Sequence, residues 1–227
     1  MFDRVPDRYD LVNRVVTLGF DRRWRRLAVR ACLENEPRAI LDICTGTGDL
    51  AVALAREATR STAVVAADFS GPMLAEARAK AEAEGVAGRI ELVCVDAAAL
   101  PFEDGAFDTV GVSFGFRNLT YKNKHRDRHL NEIARVVAPG GRFVIVESSQ
   151  PDSAVVRAGF RAYLGAWVRP LGGLISGQRG AYRYLARSAR DFYEPREVER
   201  MLLAAGFAGV RTTPLLAGAA ALHVASR

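Results

Sequence analysis

Asp42-Ile43-Cys44-Thr45-Gly46-Thr47-Gly48-Asp49-Leu50-Ala51 is the stretch on which the fold of this chain turns. The apolar run Ala39 to Cys44 reads as a buried strand, and Leu50 to Ala58 reads as a helix. A glycine-bearing turn from strand to helix opens a doubly wound α/β sheet. Gly46 permits the tight turn, Gly48 is expected to let the backbone approach a ligand, and Ala51 keeps helix and strand close. The bare pattern, GxGxxA, also occurs in dinucleotide-binding enzymes and is weak evidence alone.

The same rhythm continues downstream. Ala63 to Asp68, Ile90 to Val95, Phe107 to Phe114 and Arg142 to Glu147 read as four further strands. Helices are expected over Ser70 to Glu84, with Ser70 as cap and Gly85 as stop, and over Lys124 to Val137, stopped by Pro139-Gly140-Gly141. After a helix at Pro195 to Ala205, Val210 to Leu215 and Ala219 to Ala225 are joined by a link short enough only for a hairpin. The expectation is an α/β fold: a seven-stranded, mostly parallel, Rossmann-like sheet ending in an antiparallel hairpin. A nicotinamide-binding sheet would more often end on a sixth parallel strand. The chain is read as one domain over 1–227, with an N-terminal helical lid at 1–36 and a helical cap at 152–193 inserted between strands five and six.

Three strand ends carry acids. Asp42 lies in the first strand, Asp68 ends the second and Asp96 follows the third, while Asp49 begins the first helix. In a doubly wound sheet these ends open on one crevice. Asp68 stands 22 residues after Gly46, where a carboxylate accepts both hydroxyls of a ribose. Four carboxylates suit a cationic nucleoside better than a pyrophosphate. S-adenosyl-L-methionine, with a sulfonium, an ammonium and no phosphate, fits that demand, with Asp96 on the adenine amino group. The plain alternative is that Asp42 and Asp96 merely cap the helices after them.

Composition narrows the class. The 227 residues are 49% hydrophobic and 26% charged, which excludes a disordered chain. Cys32, Cys44 and Cys94 show no metal-ligand spacing and no pairing pattern, so no metal is expected and a reduced, cytoplasmic setting is. The net charge of +6 comes from 29 Arg against 3 Lys. A basic chain can meet nucleic acid, but no RNA-recognition motif, zinc finger or Asn-Pro-Pro-Tyr-type motif is found, and no nucleic-acid partner is expected.

Further motifs carry a resemblance. Met1-Phe2-Asp3-Arg4, Trp24-Arg25-Arg26, Asp68-Phe69-Ser70 with Met73-Leu74, Asp96-Ala97, Phe114-Gly115-Phe116-Arg117-Asn118, Pro139-Gly140-Gly141 and Tyr182-Arg183-Tyr184-Leu185 span nearly the whole chain. Together they resemble the ubiquinone/menaquinone biosynthesis C-methyltransferases, a class I S-adenosylmethionine-dependent family. The resemblance implies cofactor contacts at Thr47, Asp68, Asp96, Ala97 and Ser113; Met73 is grouped with them, as are Asp42, Gly46 and Gly48 from the loop. It implies methylation of a ring carbon of a reduced prenylated quinone, demethylmenaquinol to menaquinol, with a benzoquinol of the ubiquinone route or another small lipophilic acceptor as the alternative. Thr120 to His129 is more polar and basic than is usual in the family.

The reaction needs orientation and a donor for charge on the ring oxygen. Arg117 and Asn118, just past strand four, are expected at the crevice mouth as that catalytic pair; the alternative for Arg117 is a salt bridge to Asp10 or Glu147. Tyr9, Tyr182 and Tyr184 are expected at the substrate, Tyr9 with Asp10 as part of the lid. His223 reads as a core residue and His125 and His129 as solvated. From Ser153 to Arg190 there are seven Arg and no acidic residue, interleaved with apolar residues. Such a segment can line a groove for a prenyl tail and face an anionic membrane at the inner surface of the cell. A homodimer is left open.

Overall fold

The computed structural model describes residues 14, 17–168 and 187–227. β1 (Ala39–Ile43) has four of its five residues buried. Such a run, with no alternation of apolar and polar residues, requires cover on both faces. Alternate residues go to opposite sides: Leu41 and Ile43 pack with Val110, Val112 and Phe143, whereas Ile40 packs with Leu50, Leu54, Val64 and Val144.

β1 pairs in parallel with β2 (Ala63–Asp68) on one side and with β4 (Phe107–Ser113) on the other. β3 (Ile90–Cys94) extends the first side, and β5 (Val137–Ser148) the second. β7 (Ala220–Ser226) runs antiparallel to β5, and β6 (Gly209–Leu215) antiparallel to β7. The order is β3-β2-β1-β4-β5-β7-β6, the expected seven-stranded Rossmann-like sheet with its terminal hairpin. The chain reverses its direction of travel across the sheet between β1 and β4. A crevice opens there, outside the carboxyl ends of the strands.

Helices cover both faces. α1 (Phe20–Leu33) buries Trp24, Ala28, Val29 and Cys32. α2 (Asp49–Glu57) follows β1, and α3 (Gly71–Ala83) follows β2. α4 (Phe116–Thr120) and α5 (Arg126–Val136) join β4 to β5. Beyond β5, α6 (Ala154–Tyr163) and a π-helical turn (Leu164–Val168) enter the segment expected as a cap. α7 (Pro195–Ala204) leads into the hairpin.

Two local readings are corrected. Pro139-Gly140-Gly141 does not precede the fifth strand but lies inside it. The register with β4 jumps from Phe107↔Val137 to Thr109↔Arg142, so the three residues form a bulge. A Cβ on Gly141 would come 2.7 Å from the Asp108 carbonyl oxygen, which is why glycine stands there. Ser70 sits at the N-cap of α3 but its side chain makes no capping bond; its own N–H donates to Asp68 Oδ1 at 2.9 Å.

Candidate active site

The loop after β1 is held by two carboxylates. Asp42, 1% exposed, accepts from the Thr45 hydroxyl at 2.5 Å and from the Ala51 N–H at 3.0 Å, both through Oδ2. It thereby fastens the loop to the first turn of α2. Its Oδ1 is buried with no hydrogen-bond partner among the described residues. Burial pushes the carboxyl up to about 7, against the opposing pull of its bonds from Thr45 and Ala51. Asp68 accepts from Gly46 N–H at 2.9 Å through Oδ2 and from Ser70 N–H through Oδ1, tying the loop to the end of β2.

The two glycines divide their work differently from the expectation. Gly48 (φ +80°) is where α3 packs: a Cβ there would lie 2.8 Å from Ala77 Cβ. A Cβ on Gly46 (φ +56°) would meet nothing within 4 Å. Of these two, Gly46 has open space beside it and lines the cavity, and Gly48 does neither.

Asp49 faces cations. Arg25 of α1 lies 2.8 Å from it and Lys80 of α3 bonds it directly, while Lys80 also donates to Thr47 Oγ1 at 3.1 Å. Burial raises the Asp49 carboxyl, but the two cations outweigh it and hold it below its ordinary value. Of the four expected carboxylates, then, one is neutralised by protein cations. Asp96 is exposed; its Oδ1 accepts from Ala98 N–H at 2.9 Å.

On the other side of the crevice the backbone is strained. Cys44 (φ +54°) after β1 and Phe114 (φ +57°) after β4 both sit in the left-handed region. Gly115 stands against them: a Cβ there would be 2.6 Å from Cys44 Cβ. The turn buries Phe116 and brings Asn118 to the cavity.

Arg117 requires a correction. It was expected at the crevice mouth, yet it is 4% exposed and does not line the cavity. Its Nη1 bonds Glu147 Oε1 at 3.1 Å and Ser148 Oγ at 3.2 Å, and its backbone N–H donates to Glu147 Oε2 at 3.1 Å. The cause is the burial of Glu147 at 1% exposure near the end of β5, since a carboxylate in that position demands a cation. The alternative reading, a salt bridge to Glu147, is what the structure contains.

The cavity measures about 550 Å³, within the range of small-molecule sites. Asp42, Gly46, Thr47, Asp68, Met73, Asp96, Ala97, Ser113 and Asn118 line it; Gly48 and Arg117 do not. Tyr9, Asp10, Tyr182 and Tyr184 lie outside the described residues. His223 is buried, bonds Thr212 Oγ1 at 2.8 Å and is pushed down to about 4 by burial, away from the cavity. His125 and His129 were expected to be solvated; His125 is exposed at the cavity's edge, whereas His129 lines the cavity at only 6% exposure. His125 sits at the N-cap of α5 and His129 four residues on within it, and that spacing was the available signal, since i and i+4 share a face. Arg25 and Lys80 were also missed as site residues, because only the fold brings α1 and α3 to the loop.

A sequence model described as the ubiE/COQ5 methyltransferase family matches residues 1–227. The demethylmenaquinone methyltransferase of Thermus thermophilus is 48% identical over 227 residues, covering 100% of both chains. That of Deinococcus radiodurans is 42% identical over 207 residues, 91% of this chain and 83% of its own. The ubiquinone/menaquinone biosynthesis C-methyltransferase UbiE of Geobacter sulfurreducens is 40% identical over 91% of this chain and 79% of its own. Among solved structures, a SAM dependent methyltransferase from Aquifex aeolicus aligns with a TM-score of 0.61 at 18% identity, over 89% of this chain and 88% of that one. A putative methyltransferase from Bacillus halodurans aligns with a TM-score of 0.63 at 18% identity, over 89% and 97%. At those identities the two structures speak for the fold, and the whole-length sequence match carries the kinship: the chain belongs to the ubiE/COQ5 methyltransferase family.

Proposed function

We propose that this chain transfers a methyl group from S-adenosyl-L-methionine to a ring carbon of a reduced prenylated quinone, converting demethylmenaquinol to menaquinol. The observation that carries the reading is a cavity at the sheet's switch point, lined by carboxylates from the ends of β1, β2 and β3, in a chain 48% identical over its full length to a demethylmenaquinone methyltransferase.

The residues present fit the methyl donor. Two buried polar atoms on cavity-lining residues, Asp42 Oδ1 and Ser113 Oγ, have no hydrogen-bond partner among the described residues. A ligand bearing an ammonium and hydroxyl groups supplies what they lack. Gly46 leaves open space beside the loop. Asp68 would hold the ribose, Asp96 with Ala97 the adenine, and Asp42 and Thr47 the amino-acid end, with Met73 packing beside the nucleoside. When bound, S-adenosylmethionine supplies a methyl group on a sulfonium, open to in-line attack by carbon.

The chain's own part is placement and charge. Asn118 offers a side-chain amide at the cavity and makes no hydrogen bond through it among the described residues. It is suited to donate to the ring oxygen that carries charge as the adjacent carbon attacks. Arg117 acts through it as a positioning residue: pinned to Glu147, it fixes the turn from which Asn118 projects. Tyr9, Tyr182 and Tyr184 are proposed contacts of the quinone ring and tail, and 152–193 the cap over the tail. α6 supports a peripheral contact with an anionic membrane on the cytoplasmic side. It leaves Val155 82% exposed beside Val156 and the exposed Arg161. Among the described residues no helix is long and apolar enough to cross a membrane.

The test is incubation of the purified full chain with labelled S-adenosylmethionine and, separately, a reduced demethylmenaquinone and a demethylated benzoquinol, with product mass analysis. Label is expected in the naphthoquinol. Transfer to the benzoquinol alone, or to neither, overturns the proposal.

A further inference from the structure

His129, beside Asp96 on the cavity wall, has a geometry that the methyl-transfer reading leaves unused. His129 Nδ1 lies 2.9 Å from the Leu119 carbonyl oxygen. A carbonyl oxygen only accepts, so Nδ1 carries the proton, and in the neutral ring Nε2 is a bare acceptor. Nε2 lies 3.7 Å from Asp96 Oδ1. That is too long for a direct hydrogen bond, and with the neutral ring an acceptor stands on each side of the gap. Among the described residues no N–H or O–H donates to Nε2, while Asp96 Oδ1 takes one bond from Ala98. Ala97, Leu100 and Leu119 add buried apolar side chains to the lining of the same cavity.

Two facing acceptors beside an apolar slot call for a planar group with two donor hydrogens on one atom. We infer that His129 is a base-reading residue: Nε2 and the Asp96 carboxylate together accept the two N–H bonds of the exocyclic amino group of adenine. The inference rests on the donor reading above and deepens it, by making this corner select adenine over a base with a carbonyl at that position. Such a base presents a third acceptor to the two already there.

Calorimetry with the full chain tests it, using S-adenosylhomocysteine and S-inosylhomocysteine, in which a carbonyl replaces the amino group. The wild type is expected to prefer the adenosyl ligand by about 100-fold, from two lost hydrogen bonds. His129→Phe keeps a ring but no acceptor, and should weaken the adenosyl ligand about tenfold while leaving the inosyl ligand within about twofold. His129→Gln, whose amide oxygen can replace Nε2, should retain most of the preference. Equal weakening of both ligands by His129→Phe, or no change in either, overturns the inference. A wild type that binds neither nucleoside overturns the donor reading itself, and the inference with it. Imidazole nitrogen NMR on the wild type needs no variant. Nε2 of His129 should be unprotonated in the free protein and shift on adding S-adenosylhomocysteine but not its inosyl analogue; a protonated Nε2 in the free protein, or no shift, overturns the inference.

Discussion

The two walls of the cavity are built by different rules. On the wall made by β1, β2 and β3, acids at the strand ends fasten the backbone and face the crevice at once. Asp68 ties Gly46 and Ser70, and Asp42 ties Thr45 and Ala51. On the wall made by the end of β4, with α4 and α5, polar residues divide by what packs behind them. Arg117 turns inward to Glu147, its neighbour Asn118 turns to the cavity, and His129 sits under Leu119. Strand ends in a parallel sheet share one outlet by topology, so their residues announce themselves. A short helix has no such rule, and its faces are assigned by partners far away in sequence.

The largest effect should come from breaking the second wall. Arg117→Ala strips a buried carboxylate of its partner, and truncations of that kind cost about 3–5 kcal/mol. Denaturant titration should show the loss, and Arg117→Ala with Glu147→Ala together should recover a large part of it. A single variant as stable as wild type, yet without turnover, would return Arg117 to the cavity. Next, Asn118→Ala should leave the midpoint nearly unchanged while lowering kcat about 10²–10³-fold in the naphthoquinol assay, the range for one lost donor to developing charge. If kcat holds, the ring oxygen is served from elsewhere.

The two loop glycines sharpen the contrast within the first wall. Gly48→Ala adds an overlap with Ala77 to the strain of φ +80° and should cost about 2–4 kcal/mol of stability. Gly46→Ala bears only the strain of φ +56°, about 1–2 kcal/mol, but puts a methyl group into open space and should weaken S-adenosylhomocysteine more than Gly48→Ala does. Paired melting and binding curves separate the two; the reverse ranking in binding would restore Gly48 as the close-approach glycine.

Legibility in the sequence follows the same division. The strands were readable because each is a short apolar run between turn residues, and the hairpin because three residues cannot bridge parallel strands. The bulge in β5 was not, since Pro139-Gly140-Gly141 signals a break equally well before a strand or within one. Asp68 and Asp96 were placed by position alone. Arg117 was misplaced because no local pattern records that Glu147, thirty residues on, is buried and needs a cation. His129 was misread because the charged neighbours Arg126, Asp127 and Arg128 mask a helix face that only Leu119 and Asp96 define.

The smallest effect probes the charge of the first wall. Asp42 titrates near 7 in the fold, raised first by burial, against an ordinary 3.8. A raised folded value means that the native state binds the extra proton between about pH 4 and about pH 7. The stability linked to Asp42 is therefore full below that window and is lost as pH rises through it. Ligand binding runs the other way. The ammonium of S-adenosylhomocysteine favours the ionised carboxylate, so affinity should rise up to about tenfold per pH unit below 7 and level off above. Asp42→Asn should flatten both curves, weakening the ligand most at alkaline pH. A pH-independent wild-type affinity would mean that the acid wall holds its ligand through Asp68 and Asp96 alone, with Asp42 serving only to lock Thr45 to Ala51.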